Sequence, residues 1–379
     1  MQDEHSGFGP SRRELLKGLG AGAMLSVFGG GRLLAQEKVN KLHVTGGAID
    51  VHHHHAPPAL ANGGRGAAAG PRGAAPPAAA PAPAAGARGR GRPDGLAGPW
   101  TPEKTLEQMD KYGIAVSVLS MTQMGDVLYR GDETGRRNVR TGNDYGAKLM
   151  QQWPKRFGLM GGVPLPDIDG VLKEIEYCYD TLKVDAIGIY TNDNKGRWPG
   201  DKYFEPMWQE LNRRNAIVYM HPLAPNCCAN LNYGPAASMV EFDFDVTRAV
   251  ASIVVNGVMF RYPNLKFITV HSGGAVPMLV GRMKDRVPAG SVQYLPNGLY
   301  AEVRKWYFDI AHAAFPWPMA AARAFMPPDH LLFGTDYSPE PIESTVNELP
   351  GLKLAENFYQ ALGRANAEKI FPRFKSVRT

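Results

Sequence analysis

Ile49-Asp50-Val51-His52-His53-His54-His55-Ala56-Pro57 is the stretch from which the rest of the chain can be read. Apolar residues lead into it as into a short buried strand, and four histidines follow. Side chains alternate faces along a strand, so His52 and His54 point the same way, about 7 Å apart. His53 and His55 point to the other face. Two neutral imidazoles converging at a strand end can share one metal ion, because histidine nitrogen is the commonest protein ligand for zinc and its neighbours. An internal run behind an apolar strand is not the pattern of a purification tag.

Downstream of this strand, apolar runs recur at 114–119, 157–163, 186–190, 216–220, 266–270, 306–310 and 331–334. Helical patterns separate them. The first begins at Thr101, a capping residue followed by Pro102, and ends at Gly113. Others cover 145–153, 171–182, 204–214, 246–259, 276–286 and 318–325. With 44–51 this makes eight strands alternating with helices, the pattern of a parallel (β/α)8 TIM barrel with its site at the strand C-termini. An open doubly wound sheet is the alternative, but no Gly-rich phosphate turn follows the first strand.

Three further signals stand where strands end: His221-Pro222, His271-Ser272-Gly273-Gly274 and Gly334-Thr335-Asp336-Tyr337. Each is the first polar group after a buried strand. In a barrel all would share one rim with His52 and His54.

The remaining chain narrows the class. Of the net charge of +6, residues 1–35 hold four basic against three acidic residues, and 60–98 hold five arginines against one aspartate. The globular remainder is near neutral, which excludes an electrostatic case for nucleic acid or an anionic membrane. Residues 63–93 use only Gly, Ala, Pro and Arg and have almost nothing to bury, so they read as a disordered insertion within the barrel domain. The insertion's Arg88-Gly89-Arg90-Gly91-Arg92 lacks the interleaved aromatics that would stack bases. Cys178, Cys227 and Cys228 make no disulfide framework, and the adjacent pair reads as two reduced thiols.

Ser11-Arg12-Arg13-Glu14-Leu15-Leu16-Lys17, followed by a Gly- and Ala-rich apolar stretch, resembles a bacterial twin-arginine export signal with cleavage after Ala35. That stretch is too short and Gly-rich for a membrane span. The expectation is a periplasmic protein of residues 36–379 that meets the twin-arginine translocation machinery during export.

Asp50-Val51-His52-His53-His54, His221-Pro222, His271-Ser272-Gly273-Gly274 and Gly334-Thr335-Asp336-Tyr337, in that order, resemble the amidohydrolase superfamily. The closer resemblance is to amidohydrolase family 2, the aminocarboxymuconate-semialdehyde decarboxylase-like branch. It implies one divalent metal, usually zinc and in some members manganese, held by His52, His54, His221 and Asp336. It also implies that His271 is the catalytic base and that Asp336 takes part in proton transfer. The fourth strand ends Ile189-Tyr190-Thr191-Asn192, without the carbamylated lysine of binuclear members.

A divalent cation lowers the pKa of its water toward about 7, and a nearby histidine can take that proton. The same parts serve hydrolysis and non-oxidative decarboxylation. Arg282, eleven residues beyond His271, matches the position of an arginine that in the decarboxylase reaches a neighbouring subunit's site and pairs the substrate carboxylate. A homodimer follows from that resemblance. The branch's other carboxylate-binding arginine has no counterpart in Pro102-Glu103-Lys104-Thr105-Leu106, where Lys104 is the available substitute. Tyr190, Trp198, Trp317 and Tyr337 are candidates to line an aromatic substrate pocket, while His312 is left outside the metal set. The expected function is metal-dependent decarboxylation of a small aromatic or unsaturated carboxylic acid. Hydrolysis of a lactone, ester or amide is the alternative, and a non-catalytic binding protein the remote one.

Overall fold

Gly46 and Gly47, both with positive φ (79° and 78°), turn the chain into its first strand. The computed structural model describes residues 40–61, 100–122, 124–228 and 236–378. The expected export signal and nearly all of the insertion, from residue 62 on, lie outside these. The strand expected at 44–51 is β1, Ala48–His54. It starts after the two glycines and runs through the histidines rather than ending before them.

Seven more strands follow: β2 Ile114–Ser120, β3 Phe157–Gly162, β4 Ala186–Tyr190, β5 Ile217–His221, β6 Lys266–Thr269, β7 Tyr307–Asp309 and β8 Leu331–Leu332. Each pairs in parallel with the next, in chain order. The ring closes where Val51 N–H donates to Phe333 C=O (3.0 Å) and Asp336 N–H donates to His52 C=O (2.9 Å). This is the (β/α)8 barrel expected from the alternation.

The connecting helices are α1 Pro102–Tyr112, α2 Glu133–Gln152, α3 Ile168–Glu176, α4 Glu205–Arg213, α5 Ala237–Val255, α6 Val276–Asp285 and α7 Pro316–Phe325. Thr101 caps α1, accepting from Lys104 N–H (3.3 Å), and Gly113 ends it in the left-handed conformation. α2 and α5 begin well before the expected 145 and 246. The added part of α2 is polar, without apolar periodicity, and is held from outside. Arg136 donates to Asp167 (2.8 Å), itself the cap of α3, and Arg140 donates to Glu174 (2.8 Å).

Strand alternation sorts the core. Along β5, Ile217 and Tyr219 belong to the barrel interior while Val218 and Met220 face the helices. The interior continues through Val116, Val118, Met160, Ile268 and Leu332 and is closed at the N-terminal end by Phe374. Burying each such side chain contributes about 1.5–3 kcal/mol. Arg364, itself buried, donates to the carbonyls of Gly46 and Gly47 (both 2.7 Å), and to those of Phe374 (2.9 Å) and Val377. No helix among the described residues is long and apolar enough to cross a membrane.

Candidate metal centre and active site

The inward turn of the histidines depends on one extra residue in β1. Ile49 pairs with Val116 and Asp50 with Ser117, but His53 pairs with Leu119 and His54 with Ser120. Three steps along β1 therefore cover two along β2, a bulge. Counted strictly from Ile49, alternation would send His53 and His55 inward. The bulge reverses the parity, so His52 and His54 face the interior. Asp50 holds this geometry: Oδ1 accepts from His52 N–H (3.0 Å) and Thr335 N–H (3.1 Å), and Oδ2 accepts from His53 Nδ1 (2.9 Å) and Thr335 Oγ1 (2.7 Å).

The donor atoms of His52, His54, His221 and Asp336 all lie within 4.8 Å of one another, and all four residues are buried. Asp336 Oδ1 is 3.1 Å from His52 Nε2 and 2.8 Å from His54 Nε2. Each imidazole is anchored through its other nitrogen. His52 Nδ1 donates to Asp309 Oδ2 (3.1 Å) and His221 Nδ1 to Pro222 C=O (3.0 Å), while His54 Nδ1 meets Ser120 Oγ at 3.1 Å. The inward Nε2 lone pairs are thereby set for a cation, the usual arrangement behind metal-ligating histidines. His221 Nε2 is buried without a hydrogen-bond partner among the described residues.

The electrostatics agree with a cation site. Burial alone would lower the pKa of His52, but Asp309 and Asp336 outweigh it and push it up to about 10. Burial, then the neighbouring His54 and His52, holds His221 well below its ordinary value. For Asp336, the raising effect of burial is overcome by His52, His271 and His312, and its pKa falls well below the carboxylate range. Three imidazoles and one carboxylate with inward lone pairs fit one divalent metal of the zinc or manganese type.

His271 stands beside this cluster, its Nε2 3.8 Å from Asp336 Oδ2 and its Nδ1 3.1 Å from Asp243 Oδ1. Burial lowers its pKa, but hydrogen bonds to Asp243 and Asp336 raise it to about 9. His271, His312 and Asp336 all have left-handed backbones (φ 53°, 54° and 61°), rare for residues with a Cβ and concentrated at functional sites. Gly334 makes room for the cluster, since a Cβ there would meet His52 Cβ at 2.8 Å.

Above the cluster is a cavity of about 750 Å³. Its wall includes His221, His271, His312 and Asp336, the apolar Leu223, Met239, Phe242 and Phe315, and the acidic Asp243 and Glu340. The five residues expected to contact substrate do not line it. Tyr190 is 2 % exposed, packs edge-on against Tyr129, and is a core residue. Trp198 is turned away by its indole N–H, which donates to Asp245 (2.8 Å). Tyr337 is buried against the His53 ring (4.9 Å). Arg282 is exposed on α6, away from its own cavity. Trp317 is also exposed and outside the lining.

His312, which the sequence places after the seventh strand and outside the metal set, has its Nε2 2.8 Å from Asp336 Oδ2. Its signal was present, because it is the first histidine past the seventh strand. Asp309 was legible as a charge inside an apolar run; Asp243 had no local signal.

The amidohydrolase family profile matches residues 49–373. The chain belongs to the amidohydrolase family. This amidohydrolase is 29% identical over 337 residues to 6-methylsalicylic acid decarboxylase of Penicillium expansum, covering 87% of this chain and 97% of that protein. Among solved structures, an amidohydrolase II superposes with a TM-score of 0.70 at 25% identity, covering 86% of this chain and 99% of that one. The manganese-containing dihydroxybenzoic acid decarboxylase of Polaromonas sp. shares the fold, with a TM-score of 0.70 at 18% identity over 87% of this chain and 98% of that one.

Proposed function

We propose that this amidohydrolase is a metal-dependent carboxy-lyase that releases the carboxylate of a small aromatic acid as carbon dioxide. The observation that carries the reading is the placement of His271 and Asp336 between a three-histidine cluster and a cavity walled by Met239, Phe242 and Phe315. The likeness to a 6-methylsalicylic acid decarboxylase supports the same chemistry. His52, His54, His221 and Asp336 would hold the metal. We assign zinc as the native ion, with manganese as the second choice. When bound, a divalent cation supplies a Lewis acid that draws the substrate carboxylate to the cluster and withdraws charge from it.

The chain's own groups then handle one proton. Decarboxylation replaces a carbon–carbon bond by a carbon–hydrogen bond on the ring, so a proton must reach the carbon that carried the carboxylate. Asp336 Oδ2, with His271 Nε2 at 3.8 Å and His312 Nε2 at 2.8 Å, lies where a carboxyl group can pass that proton and recover it from His271. Asp243 on Nδ1 keeps the His271 ring oriented. The apolar wall suits an aromatic ring and limits competing water.

Incubation of the metal-loaded protein with mixed hydroxybenzoates, lactones and esters tests this. Carbon dioxide is the expected product; acid release from a lactone or ester, with no carbon dioxide from any acid, would replace the carboxy-lyase by a hydrolase. The His271→Asn variant should keep its metal and lose about 10²–10⁴-fold in turnover. Loss of the metal instead would make His271 a ligand.

The active unit we infer is a homodimer in which Arg282 serves the partner's site. Arg282 is exposed, has no hydrogen bond or ion pair among the described residues, and shares a helix face with Met278, which is 76% exposed. Mixing Arg282→Ala with His271→Asn chains should restore activity, because one site of each mixed dimer is intact. No recovery after demonstrated subunit exchange would remove the trans role. We also assign residues 1–35 to twin-arginine export and the mature chain to the periplasm, which cell fractionation checks. Retention in the cytoplasm would overturn that assignment.

A further inference from the structure

We propose that Cys227 and Cys228 form a modification site, at which exchange with a small disulfide of the glutathione type closes a reversible bond between the two sulfurs. Neither sulfur lines the cavity at the metal centre, so the inference stands apart from the carboxy-lyase reading.

The three cysteines of the chain occupy two environments. Cys178 is fully buried in the core, where burial pushes its thiol well above the ordinary value. Cys227 and Cys228 lie instead in a short 3₁₀ turn, Asn226–Cys228, beyond the end of β5. Cys227 is exposed and Cys228 half-buried. Successive side chains in a helical turn do not ordinarily face each other, yet these two Sγ atoms are 3.4 Å apart. The turn that pairs them is held in place: Cys228 N–H donates to Pro225 C=O (3.0 Å), and Asn226 Nδ2 donates to Asn194 C=O (2.7 Å).

Helix α5 brings two charged groups to Cys228. Glu241 accepts from its thiol and, with burial and Cys227, pushes its pKa up to about 12, so Cys228 holds its proton. Arg248 Nη2 lies 4.0 Å from Cys228 Sγ. Arg248 Nη1, 3.9 Å from Glu241 Oε2, is buried without a hydrogen-bond partner among the described residues. The exposed Cys227 is therefore the attacking sulfur. Its thiolate bonds to one sulfur of the small disulfide, and one glutathione thiolate leaves. Cys228 then attacks the Cys227 sulfur of this mixed disulfide while its proton passes to Glu241, with Arg248 beside the developing charge. The Cys227–Cys228 bond forms and the second glutathione thiolate leaves. Two protein thiols thereby give up two electrons and two protons, and the small disulfide is reduced to two thiols.

Adjacent Cα atoms stand about 3.8 Å apart across a trans peptide, short of the roughly 4.4–6.8 Å of ordinary disulfides. A bond closed here is strained, and strained or exposed disulfides are the readily reduced ones. The geometry marks an exchange site rather than a structural crosslink.

The test incubates metal-loaded protein, reduced and then freed of reductant, with oxidised glutathione. After acid quenching, intact mass and peptide mapping read the products. Two of the three thiols should be lost, with Cys178 still free and no glutathione retained. The peptide holding Cys227 and Cys228 should be lighter by two hydrogens, and metal content should be unchanged. Excess reduced glutathione should restore both thiols. In Cys228→Ser the resolving sulfur is gone, and one glutathione should remain on Cys227.

A wild type that keeps three free thiols, or that retains glutathione on either sulfur, would overturn the proposal. So would a disulfide between two chains, a bond that excess reduced glutathione leaves closed, or a Cys228→Ser variant that takes up no glutathione.

Discussion

The two faces of β1 carry the same residue type to opposite ends. On the inner face, His52 lies between Asp309 and Asp336 and its pKa is pushed up to about 10 despite burial. On the outer face, His55 is equally buried, but burial and the neighbouring histidines push it down to about 3. It packs by Tyr145 and Trp100, with ring centroids 5.9 and 6.4 Å away. Burial favours the neutral ring on both faces, so burial does not distinguish them. Two carboxylates do. A histidine run becomes a cation site only where acids from other strands converge on it, and here they come from β7 and from just past β8.

The strongest test of this contrast is His52→Ala, for which we expect essentially complete loss of bound metal and of turnover by elemental analysis and assay. A variant that still bound one equivalent would show that the inner face is not the site. Next in size is Asp50→Ala, which touches no metal but removes the group holding the bulge that turns His52 inward. Weakening an outer partner of this kind typically costs about 10–100-fold in metal affinity. A competition titration with a chelating dye measures that change, and wild-type affinity would mean the bulge stands without Asp50.

The smallest effect belongs to His55→Gln. Metal content should be unchanged, and stability at pH 7 should fall by about 1–3 kcal/mol. The pH dependence gives the sharper reading. His55 is neutral when folded and has an ordinary pKa of 6.5 when unfolded, so the unfolded chain binds more protons as pH falls. Its contribution to stability is full above about pH 6.5 and is lost progressively as pH drops toward 3. The Gln variant should flatten that part of the pH–stability curve. An unchanged slope in denaturant titrations between pH 6.5 and 4 would show that His55 is not buried as a neutral ring.

The barrel was legible because its strands are continuous apolar runs, buried on both sides, that end in conspicuous polar residues. His221 is the plainest case: Ile217, Tyr219 and His221 share one parity along β5. His271 was readable by position but not by direction. Alternation from Ile268 and Val270 would turn it outward, and its left-handed backbone brings it back. The inward choice of His52 over His53 was not readable either, because a bulge is a property of the strand pair. Asp243 was hidden for another reason, since it meets His271 from α5, 28 residues earlier. The rim aromatics misled because Tyr190, Trp198 and Tyr337 satisfy packing and hydrogen-bonding needs that strand-end position cannot reveal. The early start of α2 escaped because ion pairs, rather than an apolar stripe, hold its first half.

Arg364 gathers the carbonyls of Gly46 and Gly47 together with those of Phe374 and Val377 around one guanidinium. The entrance to β1 and the last described turns of the chain are therefore covalently distant neighbours, at the pole of the barrel opposite the histidines. β1, at about 3.3 Å per residue, sets that junction roughly 20 Å from the metal ligands. The Arg378 side chain lies against Gly46, so a peptide joining these two places would lie at this pole and leave the other undisturbed. The barrel is thus suited to circular permutation: its chain order can be rewritten while the strand order around the ring, and the rim it builds, stay as they are.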